Sequence, residues 1–255
     1  MLQQPTLQLL YELRLPAMAA ALEEQQGMPD INELNFEDRL TFLLEREKTD
    51  RSDRRFQRLL GQARLRLDAT PEDLDFRKAR GLDRSVVLRL LSSEWIRQGQ
   101  SLLITGATGS GKSYLACALG HQACRHGLSV RYFRLSRLLG DLTLARADGS
   151  YAKLLGRLAR THLLILDDWG MAGLEDLGRR DLLEVLDDRY GRKATLVTSQ
   201  VPVDHWHEIV GDATFGDAIL DRLVHNAHRI TLKGGSMRRV YDSTKDPGTR
   251  KDSTD

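Results

Sequence analysis

The segment SLLITGATGSGKSYLACALG, residues 101–120, constrains this chain more than any other. Gly106, Ala107, Thr108, Gly109, Ser110, Gly111, Lys112 and Ser113 fit G-x-x-x-x-G-K-[ST]. The pattern has physical meaning between a strand and a helix, and here LLIT precedes it and a helical apolar run follows. Glycines let the backbone wrap phosphate groups with its N–H donors, and the following helix points its N-terminus at the same charge. Lys112 is expected to reach the β and γ phosphates of a nucleoside triphosphate such as ATP, and Ser113 to hold Mg²⁺. Tyr114, the next residue, is counted among the nucleotide contacts. The alternative is a chance Gly-rich turn, against which the flanking strand and helix argue.

Short apolar runs then alternate with helical stretches: LLIT (102–105), VRYF (130–133), LLIL (163–166) and TLVTS (195–199). Such alternation predicts βαβ units and a central parallel sheet, with ligands at the carboxyl ends of its strands. Asp167 and Asp168 follow LLIL as in a Walker B strand. Asp167 would position Mg²⁺, directly or through water. Asp168 stands where many such ATPases carry Glu, and it has two readings: the base that orients attacking water, or a residue that solvates the strand end. Ser199 and Gln200 are expected between the two Walker strands, where the amide can hold the lytic water; a polar turn before Pro202 is the other reading. Arg222, near the end of an apolar helix, is either a solvent-facing charge or a finger reaching a neighbouring subunit's site.

The N-terminal part reads as helical. Two short helices are expected around Pro16, then one long amphipathic helix over about 36–66, a linker near Thr70 and Pro71, and a helix SVVLRLLSSEW. This gives a small all-helical domain over 1–68, the sheet domain over 69–240 and a disordered tail over 241–255. Apolar residues make up 41%, charged residues 29%, and net charge is +2, an ordinary globular composition. The opening twenty residues lack the basic start and unbroken apolar core of a signal peptide or membrane span, so a cytoplasmic protein is expected. Cys117, His121 and Cys124 share one helical face, yet a closed metal site needs a fourth ligand, so packing is the expected role.

Charge is uneven along the chain: between Arg51 and Arg66 six arginines face one acid, Asp53. Arg51, Arg54, Arg55 and Arg58 fall at i, i+3, i+4 and i+7 and therefore line one helix face. With few acids to pair them, they suit the phosphates of duplex DNA regardless of sequence; a docking face for a protein partner and a plain solvated face are the alternatives.

The four elements in this order resemble the AAA+ P-loop ATPases. LLILDDWG, LDDRYGRKATLVTSQVPVDHWHEIVGD and AILDRLVHNAHRITLKGGSMRR look like the IstB-like and DnaC-like clade, and LQLLYELRLPAMAAALEEQ also resembles IstB proteins. The resemblance implies an ATPase that self-associates on DNA, deforms it and stimulates a partner transposase in bacterial insertion-sequence transposition. It assigns Lys112 and Ser113 to Walker A, Asp167 and Asp168 to Walker B, Gln200 to sensor I and Arg222 to the finger. Arg238, or else Arg239, fits the second sensor, with a truncated or absent lid. A replicative helicase loader is the nearest alternative, and a nonenzymatic DNA-bending protein is a more distant one. No second carboxylate cluster is evident, so strand-transfer chemistry would fall to the transposase.

Overall fold

A computed structural model describes residues 4–76 and 81–237. Two compact units emerge, residues 1–58 and 59–255. The division falls inside a helix, ten residues before the boundary expected at 68, because Ala63 and Leu65 already pack with the sheet unit. Ala63 is fully buried, and Leu65 lies against Gly120.

In the smaller unit α1 (Gln4–Glu12) and α2 (Pro16–Gln26) are separated at the expected proline, which takes an early position of α2 where its missing N–H costs nothing. Leu10, Met18, Ala19, Ala21 and Leu43 form its core with α3, which runs Phe36–Ala63. Glu47 of α3 caps α2 from outside: one carboxylate oxygen accepts from the Ala17 and Met18 N–H groups at 3.0 and 3.1 Å.

In the larger unit Asp83 caps α4 (Arg84–Leu91), and Ser93, at φ +61°, separates it from a short α5 (Glu94–Arg97). The single helix expected there is thus two. Then follow β1 (Ser101–Gly106), α6 (Lys112–Arg125), β2 (Val130–Arg134), α7 (Leu135–Ala147), α8 (Tyr151–Arg160) and β3 (Leu163–Trp169). The described chain closes with α9 (Asp176–Asp187), β4 (Ala194–Ser199), α10 (Trp206–Val210), α11 (Ala213–Val224) and β5 (Ala227–Leu232).

The sheet is parallel, in the order β2-β3-β4-β1-β5. Side chains alternate across it. Leu103, Leu164, Leu166 and Val197 join a core with α7, α8, α9 and α11. Ile165 faces the other way, onto α6, where a Cβ on Gly120 would come within 3.0 Å of it. Cys117 and Cys124 are fully buried in α6, and burial raises both thiols, Cys124 to about 12. Buried Arg189 ties the carboxyl end of α8 to β4 through the carbonyls of Leu158, Thr161 and Ala194. No helix among the described residues is long and apolar enough to cross a membrane.

Candidate active site

The phosphate loop leaves the end of β1, the strand flanked by β4 and β5. Gly106, Gly109 and Gly111 take φ values of +148°, +80° and +98°. At two of them space is also decisive. A Cβ on Gly106 would collide with the Leu232 carbonyl, and one on Gly109 with the Ser236 side chain. Lys112 opens α6 and donates from Nζ to the Gly106 and Ala107 carbonyls at 2.7 and 2.9 Å, so the ammonium lies over the loop. Ser110 Oγ is buried without a hydrogen-bond partner among the described residues.

Asp167 is completely buried at the end of β3. Burying a carboxylate costs several kcal/mol unless donors compensate, and they converge here. Ser113 Oγ lies 2.8 and 2.9 Å from its two oxygens, while Thr198 on β4 and Tyr132 on β2 each donate a short hydrogen bond. Burial, and then the bond to Asp167, pushes the Tyr132 hydroxyl well above its ordinary pKa and keeps it a donor. Three strands and α6 therefore fix one carboxylate.

Asp168 is held differently. The β3–β4 register shifts between Leu166 and Trp169, and Asp168 stands in that irregularity at φ +63°. Alternation would send two successive acids to opposite faces; the irregularity lets Asp167 sink beneath the loop while Asp168 borders the cavity. Arg134 Nε lies 3.5 Å from its Oδ2, and Arg66 Nη1 lies 3.6 Å from Oδ2 of both acids.

Gln200 follows β4, which lies between the Walker strands, so the sheet order puts the amide where the sequence predicted it. Its Oε1 accepts from Thr108 Oγ1 of the phosphate loop at 2.6 Å. The turn beneath is braced: Ser199 Oγ donates to the Trp169 carbonyl at 2.8 Å, and Trp206 Nε1 donates to the Val201 carbonyl at 3.0 Å. The Trp169 and Trp206 rings lie 4.9 Å apart.

Thr108, Gly109, Gly111, Lys112, Ser113, Asp168 and Gln200 border a cavity of about 330 Å³ that also takes in Arg66, Leu67, Asp73, Asp75, Tyr114 and Met237. The 66–75 wall and the contacts of Arg66 and Arg134 were not anticipated. The first is an aperiodic segment rich in acids, and the second pair looks like ordinary surface charge in one dimension.

Arg222 does not enter this cavity. It pairs with Asp187, donates to the Ala218 carbonyl at 3.0 Å and borders a different pocket with Gln98 and Thr195, at the opposite ends of the strands. Arg238, Arg239, the lid region and the tail expected over 241–255 lie outside the described residues. In the smaller unit Arg51, Arg54, Arg55 and Arg58 line one groove together with Arg14. The expectation that they largely lack acidic partners is corrected at Arg51 and Arg54, where ion pairs stand. Arg51 bonds Glu47 at 2.8 Å, and Arg54 pairs with Asp50, because each partner lies one turn upstream of its arginine and before the stretch in which acids were counted.

A parallel sheet in this order, with a phosphate loop after β1, acids ending β3 and an amide after β4, defines an AAA+ P-loop ATPase. Its fold matches the DnaC helicase loader with a TM-score of 0.50 at 20% identity, over 58% of this chain and 87% of that one. DnaA from Aquifex aeolicus, bound to AMPPCP, matches with a TM-score of 0.56 at 18% identity, over 71% and 56%. The chain belongs to the IstB-like ATP-binding proteins, whose family model matches residues 8–244. An insertion-sequence ATP-binding protein of Sinorhizobium fredii is 52% identical over 94% of this chain and 98% of its own length. The insertion sequence IS21 ATP-binding protein of Pseudomonas aeruginosa is 31% identical over 90% and 87%. The protein is an ATP-binding AAA+ ATPase related to transposition.

Proposed function

We propose that this ATPase assembles on duplex DNA, remodels it as a target and stimulates a partner transposase, with hydrolysis dismantling the assembly. The observation that carries the reading is the five-arginine groove of Arg14, Arg51, Arg54, Arg55 and Arg58, in a chain whose relatives are insertion-sequence ATP-binding proteins. Guanidinium groups match phosphate oxygens without reading bases, so binding is sequence-nonspecific and salt-sensitive. The protein works in the bacterial cytoplasm.

Lys112 and the backbone of residues 106–113 hold the triphosphate, with Tyr114 beside them. Ser113 and Asp167 offer hard oxygen donors within 2.9 Å of each other, a set that suits Mg²⁺ with few protein ligands. The ion would draw negative charge from the phosphate oxygens. Asp168 takes the proton of the attacking water, and Gln200, anchored by Thr108, orients that water. Arg222 serves a neighbour: its own cavity lies at the far side of the sheet, so only a second copy brings it to a γ-phosphate. Arg238 is assigned the second sensor.

Gel shift and electron microscopy on random duplex with ATP, with ADP, and with Asp168→Asn plus ATP test this reading. Cooperative ATP-dependent complexes that persist in the variant are expected. Absence of duplex binding in every nucleotide state refutes it and turns attention to a helicase partner.

A further inference from the structure

A second basic groove, of about 250 Å³, lies on the larger unit beside the edge strand β2, lined by Arg64, Arg131 and Arg157. Arg131 is on β2, Arg157 on α8, and Arg64 is the first residue after α3. Three other arginines of this unit have partners: Arg146 pairs with Asp181, Arg222 with Asp187, and Arg189 with backbone carbonyls. Arg64, Arg131 and Arg157 have no carboxylate at ion-pair distance among the described residues. Asp141 and Asp148 border the groove without pairing to them, and Asp148 instead accepts from the Ser150 N–H at 2.9 Å.

One further observation points to a ligand. Burial, followed by the charges of Arg157 and Arg64, lowers the pKa of Arg131, as expected where like charges gather without a counter-charge. An anion seated among the three guanidinium groups would supply the missing counter-charge.

We propose that Arg64, Arg131 and Arg157 form a second phosphodiester-binding site, one that grips the backbone of duplex DNA. This inference rests on the DNA-binding reading above. Planar guanidinium forks from three separate segments suit the oxygens of a phosphate group.

The test is fluorescence anisotropy of the full chain on a random duplex across a salt series, with the Arg131→Gln/Arg157→Gln and Arg131→Lys/Arg157→Lys double variants. Each lost phosphate contact flattens the log–log salt slope by about 0.9, so the Gln pair is expected to flatten it by about 2 and weaken binding roughly tenfold or more near 0.1 M salt. The Lys pair should retain most of the slope. DNA-free ATP turnover should match wild type in both, which also verifies folding. If wild type binds duplex and the Gln pair leaves the slope unchanged, this inference falls while the broader reading stands. If the Gln pair loses affinity for ATP with no change in the duplex slope, the ligand is a nucleotide phosphate and the proposal is overturned. If wild type fails to bind duplex, both readings fall together.

Discussion

Arg134 places Nε 3.5 Å from Oδ2 of Asp168, and Arg66 brings Nη1 to 3.6 Å from the same oxygen. These two ion pairs hold the Asp168 carboxylate against protein charge instead of leaving it free for an attacking water. Partly exposed pairs of this kind contribute up to about 1 kcal/mol each. Arg134→Ala is therefore expected to raise DNA-free kcat about two- to fivefold, with KM for ATP unchanged. Steady-state phosphate release checks this, and a fall in kcat would mean that Arg134 assists the reaction instead.

Lys112 and Asp168 should separate binding from chemistry. Lys112→Ala is expected to abolish binding of a fluorescent ATP analogue. Asp168→Asn should retain that binding and lose turnover by about 10²–10⁴-fold, the usual scale for a general base. Retained turnover in Asp168→Asn would reassign Asp168 to strand-end solvation.

Thr198→Val keeps the shape of the side chain and removes one donor from the buried Asp167 carboxylate. A lost hydrogen bond to a charged group costs about 1.5–3 kcal/mol, measurable as a lower urea midpoint at unchanged m-value.

The smaller unit should carry its own acid sensitivity. Burial pushes the Glu47 carboxyl up, but the Arg51 guanidinium and the Met18 and Ala17 N–H groups outweigh it and hold the carboxyl below its ordinary 4.5. A depressed carboxyl contributes stability that is complete above the unfolded value and is lost as pH falls through the folded one. Helix content of the N-terminal unit should thus weaken below about pH 4.5, and Glu47→Gln should remove that step while lowering stability at pH 7. Circular dichroism across an acid titration follows both.

A mixing experiment addresses Arg222. Arg222→Ala and Lys112→Ala should each be inactive alone and should recover part of the activity when combined, because some interfaces then pair an intact finger with an intact loop. Arg222→Lys keeps the Asp187 pairing and serves as the folding control. No recovery on mixing would place the role of Arg222 within its own chain.

The nucleotide-facing side of the fold was legible because its signals are local. The loop needs glycines at fixed offsets, four strands are short apolar runs, and acid and amide follow their strands directly. The fifth strand was not read: in AHRITL only Ile230 and Leu232 are buried, so it carries half the apolar signal of β3. Ser93 interrupted a predicted helix through a left-handed backbone that Ser does not advertise. Arg66 and Arg134 look like surface charge until tertiary structure brings them to Asp168. Pairing of Arg51 and Arg54 was hidden because the helical neighbours four residues back lay outside the stretch considered.

The left-handed backbone at Asp168 also bears on which acid can stand there. A long Glu side chain is poorly tolerated at φ +63°, whereas Asp and Asn are the non-glycine residues that enter this region most readily. Glycine would fit the backbone best but would bring no carboxylate. Shortness at this position thus follows from the local chain geometry and is no sign of a degraded catalyst: where the strand turns left, the shorter acid is the one the backbone admits.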